Sequence, residues 1–153
     1  QDFPAAQAIA NSLADVGVVA NLRTMDWPTY VGTMTQPVET NETNLHLLGW
    51  APAYMDASQQ MLQFMQSQHP PAGLATSFYT NPEVEELIAR ANSTVDDAQR
   101  AALYQEASRL IWDDAPWIFL WVQRFPIVHS ANVTNIGGLP NEKFSAIYAR
   151  PAN

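Results

Sequence analysis

The sequence predicts an α/β fold. Three observations carry that reading: segments with a helical apolar period, short apolar runs of strand length between them, and capping or breaking residues at the joins. The order helix–strand–helix–strand–helix–helix–helix–strand fits one mixed sheet covered by helices.

Gln1 to Asp15 reads as a helix. Pro4 suits a first helical position, Ala6, Ile9, Ala10 and Leu13 share one face, and Gly17 stands where the helix should end. A helix under way from the first residue implies a chain that begins inside a longer protein. Val18 to Thr24 reads as a strand, and Asp26 can cap a short helix over Trp27 to Thr35. Gln36 to Asn44 is a polar loop containing Pro37. Leu45 to Trp50 is a second apolar strand, and Ala51 to Ala57, with Pro52, is the loop beyond its end. Ser58 to Gln66 should be helical, with Met61, Leu62 and Met65 facing inward, before a loop marked by His69, Pro70, Pro71 and Gly73.

The next helix is the best defined. Asn81, Pro82 and Glu83 supply a cap, a first-turn proline and a first-turn acid, and Val84, Leu87, Ile88 and Ala91 form one apolar face. Asp96 caps a longer helix with Leu103, Tyr104, Ala107, Leu110 and Ile111 inward, ending near Asp113 and Asp114 before Pro116. Trp117 to Val122 reads as a buried strand. After Arg124 the pattern loosens: Phe125 to Ser130 and Thr134 to Ile136 could be short strands, and Gly137-Gly138 a turn.

Composition narrows the function. The chain has 153 residues, 47% apolar and 14% charged, enough to build the core of one domain. Net charge is −8, from 15 acidic and 7 basic residues, so the basic footprint that nucleic acid requires is absent and an anionic membrane surface is disfavoured. The longest apolar run, Trp117 to Val122, falls far short of the ~20 residues that span a bilayer. No basic start followed by an apolar run marks a signal peptide. Without cysteine there are no disulfides, thiol nucleophiles or cysteine metal sites. The Asn-x-Ser/Thr triplets at Asn41, Asn92 and Asn132 matter only in a glycosylating pathway.

Catalytic patterns are weak. Asp96-Asp97 and Asp113-Asp114 are adjacent on helices and point in different directions, whereas a glycosidase needs two carboxyls converging on one bond. Capping and helix-end roles explain them better. His46, His69 and His129 are scattered and lack partners at metal-ligand spacing, so no metal or cofactor is expected. Gly137-Gly138 lacks the lysine and following helix of a phosphate loop. The aromatics are more informative. Trp112, Trp117 and Trp121 sit in or beside apolar runs and read as core. Trp50 closes a strand and opens the loop Ala51-Pro52-Ala53-Tyr54, and ligands of open α/β sheets bind beyond strand ends. Trp50 is therefore either a packing residue or a stacking surface.

Four stretches in order resemble a known family. They are Ala8 to Val18 with Trp27 and Tyr30; Leu47-Leu48-Gly49-Trp50 with Asp56; Phe78 to Ile88; and Asp97 to Arg100 with Leu103 to Ala107, then Asp113 to Leu120. Together they are similar to the second lobe of the family 5 solute-binding proteins, the dipeptide, oligopeptide and nickel receptors of ABC importers. The resemblance implies a periplasmic-binding-protein type II lobe. Residues 1–123 would form most of the second lobe, and 124–153 a tail crossing back toward a first lobe outside this chain. It implies solute capture without catalysis, in the periplasm or as a cell-surface lipoprotein, with an ABC permease as partner. The ligand-binding residues it implies are Gly49, Trp50, Ala53, Tyr54 and Asp56.

In peptide-binding members an aspartate pairs with the peptide amino terminus at the position of Ala53, and oligopeptide receptors have an arginine at the position of Leu47. With both charges absent, the expectation is an oligosaccharide or another weakly charged ligand. The alternatives are a peptide receptor with a different amine anchor and, from other classes, a glycoside hydrolase using dispersed carboxylates or a module that docks through its aromatic tail.

Overall fold

A computed structural model describes residues 2–152, which divide into two compact units. The first comprises the described residues through Trp50 together with Met65–Tyr79. The second comprises Ala51–Phe64 and the described residues from Thr80 onward.

The first unit opens with α1, Asp2–Asp15, so Pro4 lies inside the first turn rather than opening it, and Gln1 lies outside the described residues. Ala10 is buried, and Ala6, Ile9 and Leu13 beside it are half-buried, the face the apolar period predicts. Gly17 adopts φ +83°, a left-handed value that a Cβ disfavours. Its N–H reaches Ala14 O at 3.0 Å and the Val18 N–H reaches Leu13 O at 2.9 Å, closing the helix with a Schellman turn. Helix α2, Trp27–Met34, is capped by Asp26, which accepts the Thr29 N–H at 3.0 Å and the Thr29 hydroxyl at 3.1 Å. Those bonds hold the Asp26 carboxyl below the usual carboxylate range. The Tyr30 hydroxyl donates to Leu47 O at 2.8 Å, fastening α2 to the segment before Trp50. His46 Nε2 meets Thr76 Oγ1 at 2.8 Å and fastens the same segment from its other side in sequence.

The second unit starts with α3, Ala57–Met61, which tightens into a 3₁₀ turn over Leu62–Phe64; a further 3₁₀ turn, Gln66–Gln68, belongs to the first unit. The predicted helix over 58–66 is therefore shorter. Met61, Leu62 and Met65 are half-buried, and Gln63 and Phe64 are the buried residues. Helix α4, Pro82–Ser93, and helix α5, Asp97–Asp114, pack along each other as the core of this unit. Val84, Leu87, Ile88 and Ala91 are all buried, as are Tyr104, Ala107 and Ile111. Leu103 and Leu110 are half-buried. Asn81 and Asp96 cap these helices, Asp96 by accepting the Gln99 N–H at 2.8 Å. Ala115, at φ 47°, stops α5 just before Pro116.

The strands depart from expectation. Val18 to Thr24, Leu45 to Trp50, Trp117 to Val122 and Phe125 to Ser130 are not strands. An apolar run becomes a strand only when a neighbour takes its backbone N–H and C=O groups, and no such neighbour pairs with them among the described residues. Val19 and Val122 are accordingly 84% and 96% exposed rather than buried. Trp112 and Trp121 are exposed and Trp117 half-buried, which corrects the core reading of all three. Two of them meet other aromatics instead: Trp112 stacks on Phe119 at 5.4 Å and Trp117 tilts against Phe64 at 4.7 Å.

The strands that do form are short and lie in the tail. β1, Val133–Thr134, pairs antiparallel with β4, Arg150–Pro151, and β2, Gly137–Gly138, with β3, Phe144–Ser145. Gly137-Gly138 is thus a ladder and not a turn, and the strand expected over Thr134 to Ile136 shifts to Val133–Thr134. The described residues combine helices with two small antiparallel ladders, a mixed α and β content. The expected single sheet is not among them.

Candidate ligand-binding site

Gly49 is exposed, and a Cβ added there would meet open space, so packing does not require glycine at this position. Trp50 is half-buried. Its indole Nε1 is shielded from solvent and has no acceptor, an unmet donor that costs free energy until something accepts from it.

The loop after Trp50 belongs to the second unit. Ala53 is exposed, and Tyr54 is 51% exposed with its ring available for contact. Backbone bonds shape this loop. The Tyr54 N–H donates to Gln59 Oε1 at 3.1 Å, and the Asp56 N–H donates to Tyr54 O at 3.0 Å. Asn141 Nδ2 lies 3.5 Å from Ala53 O, the outer limit of a hydrogen bond.

Asp56 ends the loop, and its carboxylate is already engaged. It caps α3 by accepting the Ser58 N–H at 2.9 Å. It also receives both arms of the Arg100 guanidinium, Nη1 to Oδ2 at 2.9 Å and Nη2 to Oδ1 at 2.6 Å. Arg100 Nη2 contacts the Tyr104 hydroxyl at 3.2 Å, its guanidinium lies 4.9 Å from the Tyr104 ring centroid, and the Tyr104 hydroxyl donates to Asn92 Oδ1 at 2.6 Å. The paired hydrogen bonds from Arg100, then the Ser58 bonds, hold the Asp56 carboxyl far below its ordinary value; the same pair raises Arg100. Burial raises the Tyr104 hydroxyl. A carboxylate held this way is poorly suited to act as a general acid or base near neutral pH.

Both carboxylates at the end of α5 also have structural partners. Asp113 pairs with Arg109 at 3.1 Å and Asp114 accepts from Asn81 at 2.7 Å. The histidines are separate: His69 bonds Tyr79 O at 2.8 Å, and His129 bonds Ser130 O at 3.0 Å. No cluster of three or more His, Asp or Glu groups that could hold a metal occurs among the described residues. No helix among them is long and apolar enough to cross a membrane.

The supporting set of Arg100, Tyr104 and Asn92 was not legible as a site. Arg100 lies 44 residues from Asp56, and Tyr104 reads from sequence only as core. The one local signal is the four-residue spacing of Arg100 and Tyr104, which places them on one helix face.

No family model matches the chain. The chain has curated homologues that are family 5 solute-binding proteins of ABC transporters, which bears out the resemblance carried by the four stretches. The particular relatives are glutathione-binding proteins GsiB. That of Pectobacterium atrosepticum is 34% identical over 145 residues, covering 91% of this chain and 27% of the relative. Those of Shigella dysenteriae and Escherichia coli are 32% identical, covering 91% of this chain and 28% of each relative. The chain therefore spans little more than a quarter of the length of the curated relatives it matches. These relatives are named as binding proteins, not enzymes. Their names refer to glutathione and give no support to the oligosaccharide expectation.

Proposed function

We propose that this chain is part of the solute-binding component of an ABC importer, and that its ligand is glutathione or a similar short peptide-like solute. The homology across 91% of the chain carries the reading. Gly49, Trp50, Ala53, Tyr54 and Asp56 are its proposed site residues, of which Trp50 and Tyr54 offer contact surface and Asp56 shapes the loop. Glutathione joins its first two residues through the γ-carboxyl, so its amine and α-carboxylate stand together at one end as a zwitterion. Such an end needs less from a single aspartate than a lone peptide amine does, which accommodates Ala53 where peptide-binding members carry an acid. The shielded Nε1 of Trp50 offers a donor to a ligand carboxylate or carbonyl.

On this reading residues 1–123 belong to the second lobe, and 124–153 run toward the remainder of the receptor. The receptor works outside the cytoplasm, in the periplasm, and presents its closed form to a permease. Catalysis is the weaker alternative, since Asp56 is committed to Arg100 and the other acids described above serve caps and helix ends. Isothermal titration of the natural polypeptide carrying this sequence tests the proposal. Glutathione should bind with micromolar or tighter affinity and maltooligosaccharides should not. Saccharide binding without glutathione binding refutes it.

A further inference from the structure

We infer that Arg100 is a positioning residue, holding the 51–56 loop in its ligand-competent form through the Asp56 carboxylate. The inference rests on the proposed ligand-binding role of that loop. Residues 51–56 contain no regular element, and their exposed members, Ala51, Ala53, Tyr54 and Met55, make no apolar core of their own. What fixes the far end of the loop is Asp56, and Asp56 is fixed from two directions. The cap to Ser58 ties it to α3, and the two-armed Arg100 bond at 2.9 and 2.6 Å ties it to α5. A planar guanidinium facing a planar carboxylate sets direction as well as distance.

Arg100 is itself held. The Tyr104 ring lies 4.9 Å beneath it, and the Tyr104 hydroxyl is anchored on Asn92 of α4 at 2.6 Å. The chain Asn92–Tyr104–Arg100–Asp56 thus carries the rigidity of the buried α4–α5 pair to a loop that has little of its own. From Asp56 the order passes back to Tyr54, whose carbonyl accepts the Asp56 N–H at 3.0 Å. A loop that populates its competent form only part of the time binds more weakly by that fraction.

The cap and the tether can be separated. Asp56→Asn keeps an acceptor that caps a helix about as well, but it removes the charge on which the Arg100 fork depends. The test measures amide hydrogen exchange over residues 51–55 and glutathione affinity in the natural polypeptide, for wild type, Arg100→Gln, Asp56→Asn, the double variant and Arg109→Gln. Arg109 pairs on the exposed side of the same helix and serves as the control. Exchange in the loop should rise about tenfold in Arg100→Gln and Asp56→Asn, with affinity falling by a similar factor, and the double variant should be no worse than either single one. Arg100→Lys, which keeps the charge without the fork and serves if Arg100→Gln does not fold, should fall between. Arg109→Gln should match wild type.

Unchanged loop exchange in the Arg100 variants overturns the inference. So does exchange that rises equally across α4, which would mark a general loosening of the unit. If wild type does not bind glutathione, the functional proposal fails while loop exchange still decides the role of Arg100.

Discussion

Asn81 Nδ2 donates to Asp114 Oδ2 at 2.7 Å, while Oδ1 of the same side chain accepts the Glu83 and Val84 N–H groups at 3.0 and 3.4 Å. One residue therefore caps the start of α4 and clips it to the end of α5. Asn81→Ala should lower stability by about 0.5–2 kcal/mol, the usual range for losing a cap. Asn81→Asp keeps the cap but faces Asp114 with a like charge. It should still destabilise, and Asp114→Asn should restore it; chemical denaturation of the four proteins checks the cycle.

Ile88 and Val84 are fully buried on the α4 face. Ile88→Ala should cost about 2–5 kcal/mol and Ile88→Val about 0.5–1.5 kcal/mol, because a close-packed helix pair collapses only partly around a lost side chain. A smaller effect in the denaturation midpoint would mean that α4 and α5 are less tightly packed than described.

His46 and the carboxyls of Asp56 and Asp26 should shape the acid limb of stability. Burial lowers the His46 pKa from its ordinary 6.5, so its neutral form is favoured by folding. That contribution is complete above about 6.5 and is lost as pH falls through the lower folded value. The Arg100 pairing lowers Asp56 from 3.8, so its contribution is complete above about 4 and is lost only in stronger acid. Melting temperatures between pH 8 and 2 should show the His46 loss before the carboxyl losses. His46→Gln should remove the first and Asp56→Asn should lessen the second.

Tyr54 and Trp50 should matter for binding more than for stability. Tyr54→Ala should weaken glutathione binding about five- to tenfold, with Tyr54→Phe closer to wild type, as expected of an aromatic surface whose ring supplies most of the contact. Ligand should also perturb the Trp50 fluorescence, read by difference from Trp50→Phe. Titrations in which neither variant changes affinity would remove this loop from the site.

The sequence by itself determined α1, α2, α4 and α5, the caps at Asp26, Asn81 and Asp96 and the inner face of α4, and it carried the resemblance to the solute-binding family. Those features are local. Asn81, Asp96 and Asp26 bond to N–H groups two or three residues away, and the face of Val84, Leu87, Ile88 and Ala91 follows from the helical period alone. Only the tertiary structure decided which apolar runs are strands. Trp117 to Val122 has the composition of a buried strand, but a ladder needs a partner that composition cannot supply. The same limit hid the tether from Arg100 to Asp56. Its two ends are 44 residues apart and meet only because α5 packs where it does, so a residue that reads as an ordinary helical arginine becomes the one that holds the loop after Trp50.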